Sequence, residues 1–421
     1  MEKSGKFRLT SLERNWILYD VGNSAFVLMV ATLIPIFFNA LAEAGGLSSV
    51  EYLAYWGYAS SAVTVITAVL SPILGTVADT KGFKKPIFIL CVFVGIVGCC
   101  AMGAASAWLP FLVIFVIAKV GFSGSLVFYD SMLSDVTTPE RMDEVSSRGY
   151  AWGYIGSCVP FVVCLGLVLG AGSIGISQMT ALNLALLLTA AWWLLTTLPL
   201  LKSYKQLHYV EVEKHAVRQS FARIGHTLRH LPEDKQVFWF LLAFFCYIDG
   251  VYTIIDMATA YGTALGLDTT GLLLALLVTQ IVAFPSALIF GRLSNKYPSA
   301  KLIPVCIAAY AGIAVFAFFL TRQWQFWVLA VIVGMFQGGV QALSRSHFAK
   351  ITPPEKSGEY FGLFDICGKG ASFLGTMIVS VGSQLTGSAN VGVGSLIVLF
   401  VVGFVLFRVS CKAGVITDSV N

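Results

Sequence analysis

GTVADTKGFKK, residues 75–85, ends one apolar run of this sequence and begins the next, and GRLSNKYPSAK at 291–301 does the same in the second half. A second pair of polar stretches, LSDVTTPE at 133–140 and FAKITPPE at 348–355, repeats with almost the same spacing. The two offsets are 216 and 215 residues. Chance similarity between apolar segments has no reason to keep one offset, so the paired loops indicate a duplicated unit.

The composition identifies the solvent around the two copies. The chain has 421 residues, of which 57% are hydrophobic and 12% charged, with a mean hydropathy of +0.81. A soluble domain has about 25% charged residues, so the solvent around this chain is lipid. Twelve stretches are long enough to cross a bilayer, which predicts an all-α membrane protein with twelve transmembrane helices at 15–40, 53–77, 86–106, 109–132, 148–170, 178–200, 236–263, 271–292, 301–321, 324–348, 359–385 and 390–411.

The duplication divides these helices into two pseudo-symmetric six-helix bundles. We expect an N-terminal bundle at 1–200, a central loop at 201–235 and a C-terminal bundle at 236–421. The central loop is the one long polar segment between predicted helices. Its composition is compatible with an amphipathic helix on the membrane surface around 211–230 and equally with a solvated linker.

The basic residues predict the orientation in the membrane. Of the 27 lysines and arginines, 24 lie in the loops of one side, whereas the opposite loops contain only Arg322. Basic loops stay in the cytoplasm, so both termini are expected there, in a multi-pass protein of the plasma (inner) membrane. The first apolar run is too long for a signal peptide, and we expect it to be retained as the first membrane helix.

Several kinds of chemistry leave no trace in the sequence. The nine cysteines show neither CxxC nor Cys/His ligand spacing, and no nucleotide-binding loop, zinc-protease motif or serine-hydrolase motif is present. We therefore expect no metal, no cofactor, no nucleic-acid partner and no enzymatic activity. A monomer that uses an ion gradient or the gradient of its own solute is the expectation.

Charged and polar side chains inside the predicted helices mark the candidate solute and coupling site, because an ionised residue at the bilayer centre costs about 2.5–3.5 kcal/mol. Asp249 and Asp256 are seven residues apart, which places them on one helix face with Tyr252. Asp249 and Lys119 lie near mid-depth, which favours roles in a cavity. Asp20 can instead bond helix-end groups, and Lys119 can be neutralised by an aspartate. The candidate set is Asp20, Asn23, Lys119, Asp249, Tyr252, Asp256, Gln337 and Gln341.

The loop at 75–85 is a candidate gate. Gly75 permits close contact between helices, Asp79 can meet the positive N-terminal end of a neighbouring helix or a basic side chain, and Gly82 turns the chain. Lys84 and Lys85 are expected to face the anionic cytoplasmic leaflet. The second copy has asparagine where the first has Asp79, which predicts a weaker contact. Further gate candidates are Asp130, Arg345, and the i, i+4 pair of Asp365 and Lys369, for which a structural role is favoured over solute binding.

The same loop resembles the G-x-x-x-D-x-x-G-[RK]-[RK] motif of the major facilitator superfamily, which latches the cytoplasmic side when the carrier faces outward. NWILYDVGNSAF at 15–26, SSRGYAWGYIGS at 146–157 and the stretch 338–375 are similar to one branch, the "unknown major facilitator" group. That group includes fungal vacuolar amino-acid effluxers linked to autophagy, whose long insertions this chain lacks. The resemblance implies a fold in which helices 1, 4, 7 and 10 line a central cavity.

These observations predict a secondary active transporter of a small organic solute that works by alternating access. Amino acids or peptide-like compounds, moved by proton-coupled efflux, are the expected cargo, with Asp20, Asp249 and Asp256 as coupling candidates. The alternative is a drug or lipid exporter of the same fold, since the cavity helices are rich in Phe and Leu. A channel is disfavoured by the latch motif, and a membrane-bound enzyme or sensor by the lack of catalytic residues. The expected partners are the solute, protons or another coupling ion, and the lipid bilayer.

Overall fold

The computed structural model describes residues 7–211, 227 and 229–418. Within them the structure is helical almost throughout. The first set of helices is α1 (Ser11–Ala31), α2 (Leu33–Ala44), α3 (Ser49–Ala78), α4 (Lys84–Gly103), α5 (Trp108–Ser131), α6 (Leu133–Val136), α7 (Met142–Leu169) and α8 (Gln178–Ser203). The second set is α9 (Lys235–Ala264), α10 (Thr269–Leu293), α11 (Ser299–Phe318), α12 (Gln323–Ile351), α13 (Ser357–Thr386), α14 (Ala389–Gly394) and α15 (Ile397–Asp418).

Eleven spans of the described chain are long and apolar enough to cross a membrane. The twelfth predicted span, 359–385, coincides with α13, which is not among the eleven but is 30 residues long. At 1.5 Å per residue α13 measures about 45 Å, more than the hydrocarbon core of a bilayer. The first predicted span is divided at Thr32 into α1 and α2, and the last is divided into α14 and α15.

Local sequence signals explain where several helices begin. Thr10 and Glu13 form a capping box at the start of α1, and Ser48 and Glu51 form another at the start of α3. The Asp268 carboxylate caps α10 by accepting a hydrogen bond from the Gly271 amide at 2.7 Å. Each cap supplies a partner for amide groups that the helix itself leaves free.

The helices pack mainly within the two sets. In the first set α1 packs against α7 and α8, and in the second α9 packs against α15 and α13. The sets meet where α3 lies against α13 and where α7 lies against α10 and α12. Large apolar side chains point outward along the helices, with Leu169 77% exposed and Val65 and Leu195 each 64% exposed, as expected for a surface solvated by lipid.

We call the end of the bundle at which α1 begins and α15 ends the terminal face, which contains the segments 79–83, 137–141, 204–211, 294–298 and 352–356. The start of the central loop is ordered against this face. The Val210 amide donates to the Asp79 carbonyl at 2.8 Å, and the Lys81 amide donates to the Val210 carbonyl at 3.3 Å. Most of the predicted surface helix around 211–230 lies outside the described residues.

Candidate functional site

A cavity of about 350 Å³ lies between the two sets of helices. Helices α1, α5, α7, α9, α10, α12 and α13 all contribute to its wall. The structure brings six members of the predicted solute set to this cavity, namely Asp20, Asn23, Tyr252, Asp256, Gln337 and Gln341. Its wall also includes Asp130, Arg345 and Asp365 from the predicted gate set.

Arg345 connects the two sets at the end of the cavity nearest the terminal face. Its guanidinium lies 3.0 Å from the Asp130 carboxylate and 3.6 Å from the Asp20 carboxylate, and it donates to the hydroxyl and carbonyl of Ser146 at 2.9 and 3.0 Å. The guanidinium also lies over the ring of Tyr150, 4.3 Å from its centroid. Only 2% of Arg345 is exposed, so its charge depends on these partners.

The part of the cavity farther from the terminal face is lined by the polar side chains of Asp256, Gln280 and Gln337. Asp256 is exposed to the cavity and experiences the attraction of the Lys119 ammonium. Lys119 itself does not line the cavity, and its ammonium lies 4.7 Å from the centre of the Phe122 ring. Gln341 accepts a hydrogen bond from the Tyr154 hydroxyl at 3.1 Å. Asp256 and Gln337 both line the cavity.

Asp249 occupies a different place from its predicted partner Asp256. Its carboxylate is completely buried and accepts the Gly375 amide of α13 at 2.8 and 2.9 Å, with the Thr253 hydroxyl at 3.3 Å. It is not among the residues that line the cavity. Helix periodicity predicts the depth of Asp249 in the membrane, but its side chain joins α9 to α13.

The loop at 75–85 joins the two sets at the terminal face. The Asp79 carboxylate is completely buried and accepts hydrogen bonds from the Gly358 and Glu359 amides, at 2.7 and 2.8 Å. These amides form the first turn of α13, where the helix dipole favours an anion. A Cβ on Gly75 would lie 2.1 Å from the Gly358 carbonyl oxygen, so only glycine permits this approach of α3 and α13.

Lys84 differs from the expectation that it faces the lipid leaflet. It is completely buried, donates to the Ser357 hydroxyl at 2.8 Å, and lies 3.7 Å from Asp79 and 3.6 Å from Asp135. Two carboxylates and a hydroxyl satisfy its charge inside the protein, which is the condition for burying an ammonium. Lys85 is partly exposed, and its ammonium lies 3.5 Å from the Tyr204 carbonyl.

Burial raises the pKa of the Asp79 carboxyl to about 7, against the opposing effects of the Lys84 charge and of the two backbone amides of α13. The Glu359 charge acts in the same direction as burial.

The second copy of the loop makes a different contact. Asn295 donates to the Glu144 carboxylate of α7 at 2.7 Å, and Glu144 also pairs with Arg148 at 2.5 Å. A Cβ on Gly291 would lie 2.8 Å from the Cβ of Ser147, so this glycine too lies close to the other set. Asn295 acts as a hydrogen-bond donor in this contact, whereas Asp79 acts as an acceptor in the first copy. The loss of the charge at this position therefore does not by itself predict the contact of the second copy.

Other contacts between the sets add residues that the sequence did not single out, namely Ser71, Asp143, Ser346 and Lys350. Asp143 accepts the Ser346 hydroxyl at 2.6 Å and pairs with Lys350 at 2.6 Å, and Ser71 donates to Asp365 at 2.7 Å. Asp143 lies just before the stretch 146–157, and Lys350 lies inside the stretch 338–375. The family resemblance of these two stretches was therefore the sequence feature that could have pointed to both residues. The side chain of Lys369, the predicted partner of Asp365, lies outside the described part of the chain.

Comparison with known proteins places this arrangement among transporters. Residues 11–414 match the family model described as "Vacuole effluxer Atg22 like". The chain is 42% identical to the uncharacterized MFS-type transporter YxiO of Bacillus subtilis over 404 residues, 95% of this chain and 94% of that one. It is 25% identical to autophagy-related protein 22 of Coccidioides immitis over 312 residues, 63% of this chain but only 51% of the fungal protein. The chain thus spans about half the length of that fungal relative.

Among solved structures, the human organic anion transporter MFSD10 is similar, with a TM-score of 0.73 over 94% of this chain and 98% of that one. The sequence identity of 14% makes this a likeness of fold alone. It confirms the predicted major facilitator fold. The relatives are transporters rather than enzymes, and they confirm a multi-pass membrane protein of the MFS type.

Proposed function

The chain belongs to the family of Atg22-like vacuole effluxers, and from that premise we propose that it exports amino acids by alternating access, coupled to protons. The Atg22-like family is named for efflux from the vacuole, and the transporter class of the chain follows from its relatives. What we propose is the identity of the transported solute, the direction of transport and the coupling ion.

The observation that carries the proposal is the cavity and its closed end. Asp20, Asp256 and three glutamines line a space of about 350 Å³, and Arg345 and Asp79 bond the two helix sets together on the side of the terminal face. A site between two halves that are bonded at one end is the arrangement that alternating access requires. In this proposal the terminal face is cytoplasmic, as the basic loops predict, and residues 1–200 and 236–421 rock as the two bundles.

Asp256 and Asp20 are the proposed coupling residues. Asp256 faces the cavity, so solute and proton can reach the same carboxylate. Asp20 lies 3.6 Å from Arg345, so its protonation would weaken one of the contacts that close the cavity. Asp249 is bonded to α13 and is proposed to hold helices together rather than to exchange protons.

Reconstitution tests this function. Purified protein in proteoliposomes is expected to move radiolabelled L-leucine or another L-amino acid faster when a pH gradient is imposed than without one. Protein-free liposomes serve as the control. Equal rates with and without the gradient would refute proton coupling, and no transport of any of the twenty amino acids would refute the cargo.

A further inference from the structure

Among the described residues, two glutamine side chains in the cavity wall have an acceptor atom without a hydrogen-bond partner. Gln337 of α12 is only 5% exposed, and its Oε1 has no hydrogen-bond partner among the described residues. The same holds for Oε1 of Gln280 on α10, within the described part of the chain. Both residues line the central cavity. A buried acceptor without a donor is unfavourable, so a bound group that donates hydrogen bonds would stabilise this part of the wall.

Asp256 lies in the same wall and supplies a third acceptor. Its carboxylate is exposed to the cavity. A primary ammonium has three donors and no acceptor, so it matches two amide oxygens and a carboxylate. A solute carboxylate at this place would meet acceptors and a like charge. The Lys119 ammonium also attracts Asp256, so a bound cation shares that carboxylate with it.

An apolar cavity adjoins this group inside the second helix set. Its wall includes Gln280 and Gln337, which therefore border both spaces, and the apolar side chains Met257, Leu276, Phe326, Leu329 and Val393. A solute whose ammonium lies between the glutamines has an apolar space for its side chain. This juxtaposition favours an amine with an aliphatic or aromatic chain over a polar one.

We propose that Asp256, Gln280 and Gln337 form an ammonium-binding site, and that the carrier recognises solutes by a primary amino group next to an apolar side chain. The proposal rests on the proposed function, because it assigns one chemical group of the cargo to one part of the same cavity. It goes further in stating that the amino group, rather than the carboxylate, is the required feature.

Three matched probes test the site. L-leucine has both charged groups, 3-methylbutylamine is the same molecule without the carboxylate, and 4-methylpentanoate has the same chain without the amino group. Binding of each to the purified full-length protein is measured by isothermal titration. The amine is expected to bind within about tenfold of leucine, and the acid about 100-fold more weakly, since each hydrogen bond to a charged group contributes about 10- to 100-fold.

Variants connect that preference to the residues. Gln337→Met and Gln280→Met retain the volume but remove the acceptor, and each is expected to weaken amine binding about tenfold. Gln178→Met changes an exposed glutamine far from the cavity and is expected to leave binding unchanged. If a methionine variant has a lowered melting temperature, Gln337→Glu replaces it, and this added carboxylate is expected to tighten amine binding and weaken acid binding.

The outcomes separate the site from the function. Leucine binding that is unaffected by Gln337→Met, or acid that binds as tightly as the amine, overturns the ammonium site and leaves amino-acid transport standing. Amine binding without leucine binding supports the ammonium site and refutes the amino-acid cargo. Failure of all three probes to bind overturns both proposals.

Discussion

Asp79→Asn tests how the terminal face is closed. In the structure both carboxylate oxygens are used, one by the Gly358 amide at 2.7 Å and one by the Glu359 amide at 2.8 Å. Asparagine retains one acceptor and presents an NH₂ group to the other amide. The substitution therefore removes one charged hydrogen bond and the charge that faces the first turn of α13.

The size of the effect follows from these contacts. A hydrogen bond to a charged group contributes about 1.5–3 kcal/mol, and an anion at a helix N-terminus about 0.3–2 kcal/mol. Loss of the unfavourable burial of the charge offsets part of both terms. We expect a net weakening of about 1–2 kcal/mol, which shifts the ratio of open to closed molecules about 5- to 30-fold.

The assay is a distance measurement between spin labels at Pro139 and Glu355, which are exposed on opposite helix sets of the terminal face. None of the nine native cysteines is exposed, and the four half-buried ones are replaced by alanine for labelling. Asp268→Asn is the control, because it removes a helix-capping carboxylate that acts within one set. Distance distributions that stay the same in Asp79→Asn as in the parent, measured at pH 8, would refute the reasoning.

Three further predictions concern the closed face and the cavity. Gly75→Ala should prevent closure, because its Cβ would lie 2.1 Å from the Gly358 carbonyl oxygen, whereas Gly82→Ala should only strain a loop at φ +80° by about 1 kcal/mol. The same pair of spin labels reports both variants, and equal distances in the two would contradict this prediction. Arg345→Met should lower the stability by about 3–5 kcal/mol, because Asp130 and Asp20 lose their cation, and Arg345→Lys should lower it less. Thermal unfolding compares the two variants, and a lysine variant less stable than the methionine variant would contradict the prediction. Asp249→Asn should lower the stability by about 1–2 kcal/mol and leave gradient-driven accumulation of solute intact, whereas Asp256→Asn should abolish accumulation. Uptake is measured in both variants, and the opposite pattern would identify Asp249 as the coupling residue.

The fold was predictable from the sequence because its signals are local or repeated. Hydropathy located the membrane spans, and the paired loops at a constant offset indicated the duplication. The motif also indicated the partners of Asp79, a helix N-terminus or a basic side chain, and Asp79 meets both, since it accepts the first amides of α13 and lies 3.7 Å from Lys84.

The individual site residues were harder to predict. Helix periodicity gives the face and depth of Asp249, but not which neighbouring helix that face meets, and the neighbour proved to be α13 rather than the cavity. The position of Lys84 in a basic loop predicts that it faces the anionic leaflet, and this is wrong because Asp79, Asp135 and Ser357 come from three separate segments to surround it. Gln280 gave no signal, since a single glutamine in an apolar helix has no distinguishing spacing.

Counterflow tests most directly whether the protein is a carrier whose one site is exposed to each side of the membrane in turn. Proteoliposomes loaded with unlabelled L-leucine are diluted into a trace of labelled L-leucine without any pH gradient. A carrier exchanges the two across the membrane, so the label should accumulate transiently above its equilibrium level and then decline. A monotonic approach to equilibrium, with no transient excess, would contradict alternating access and indicate a continuous pore instead.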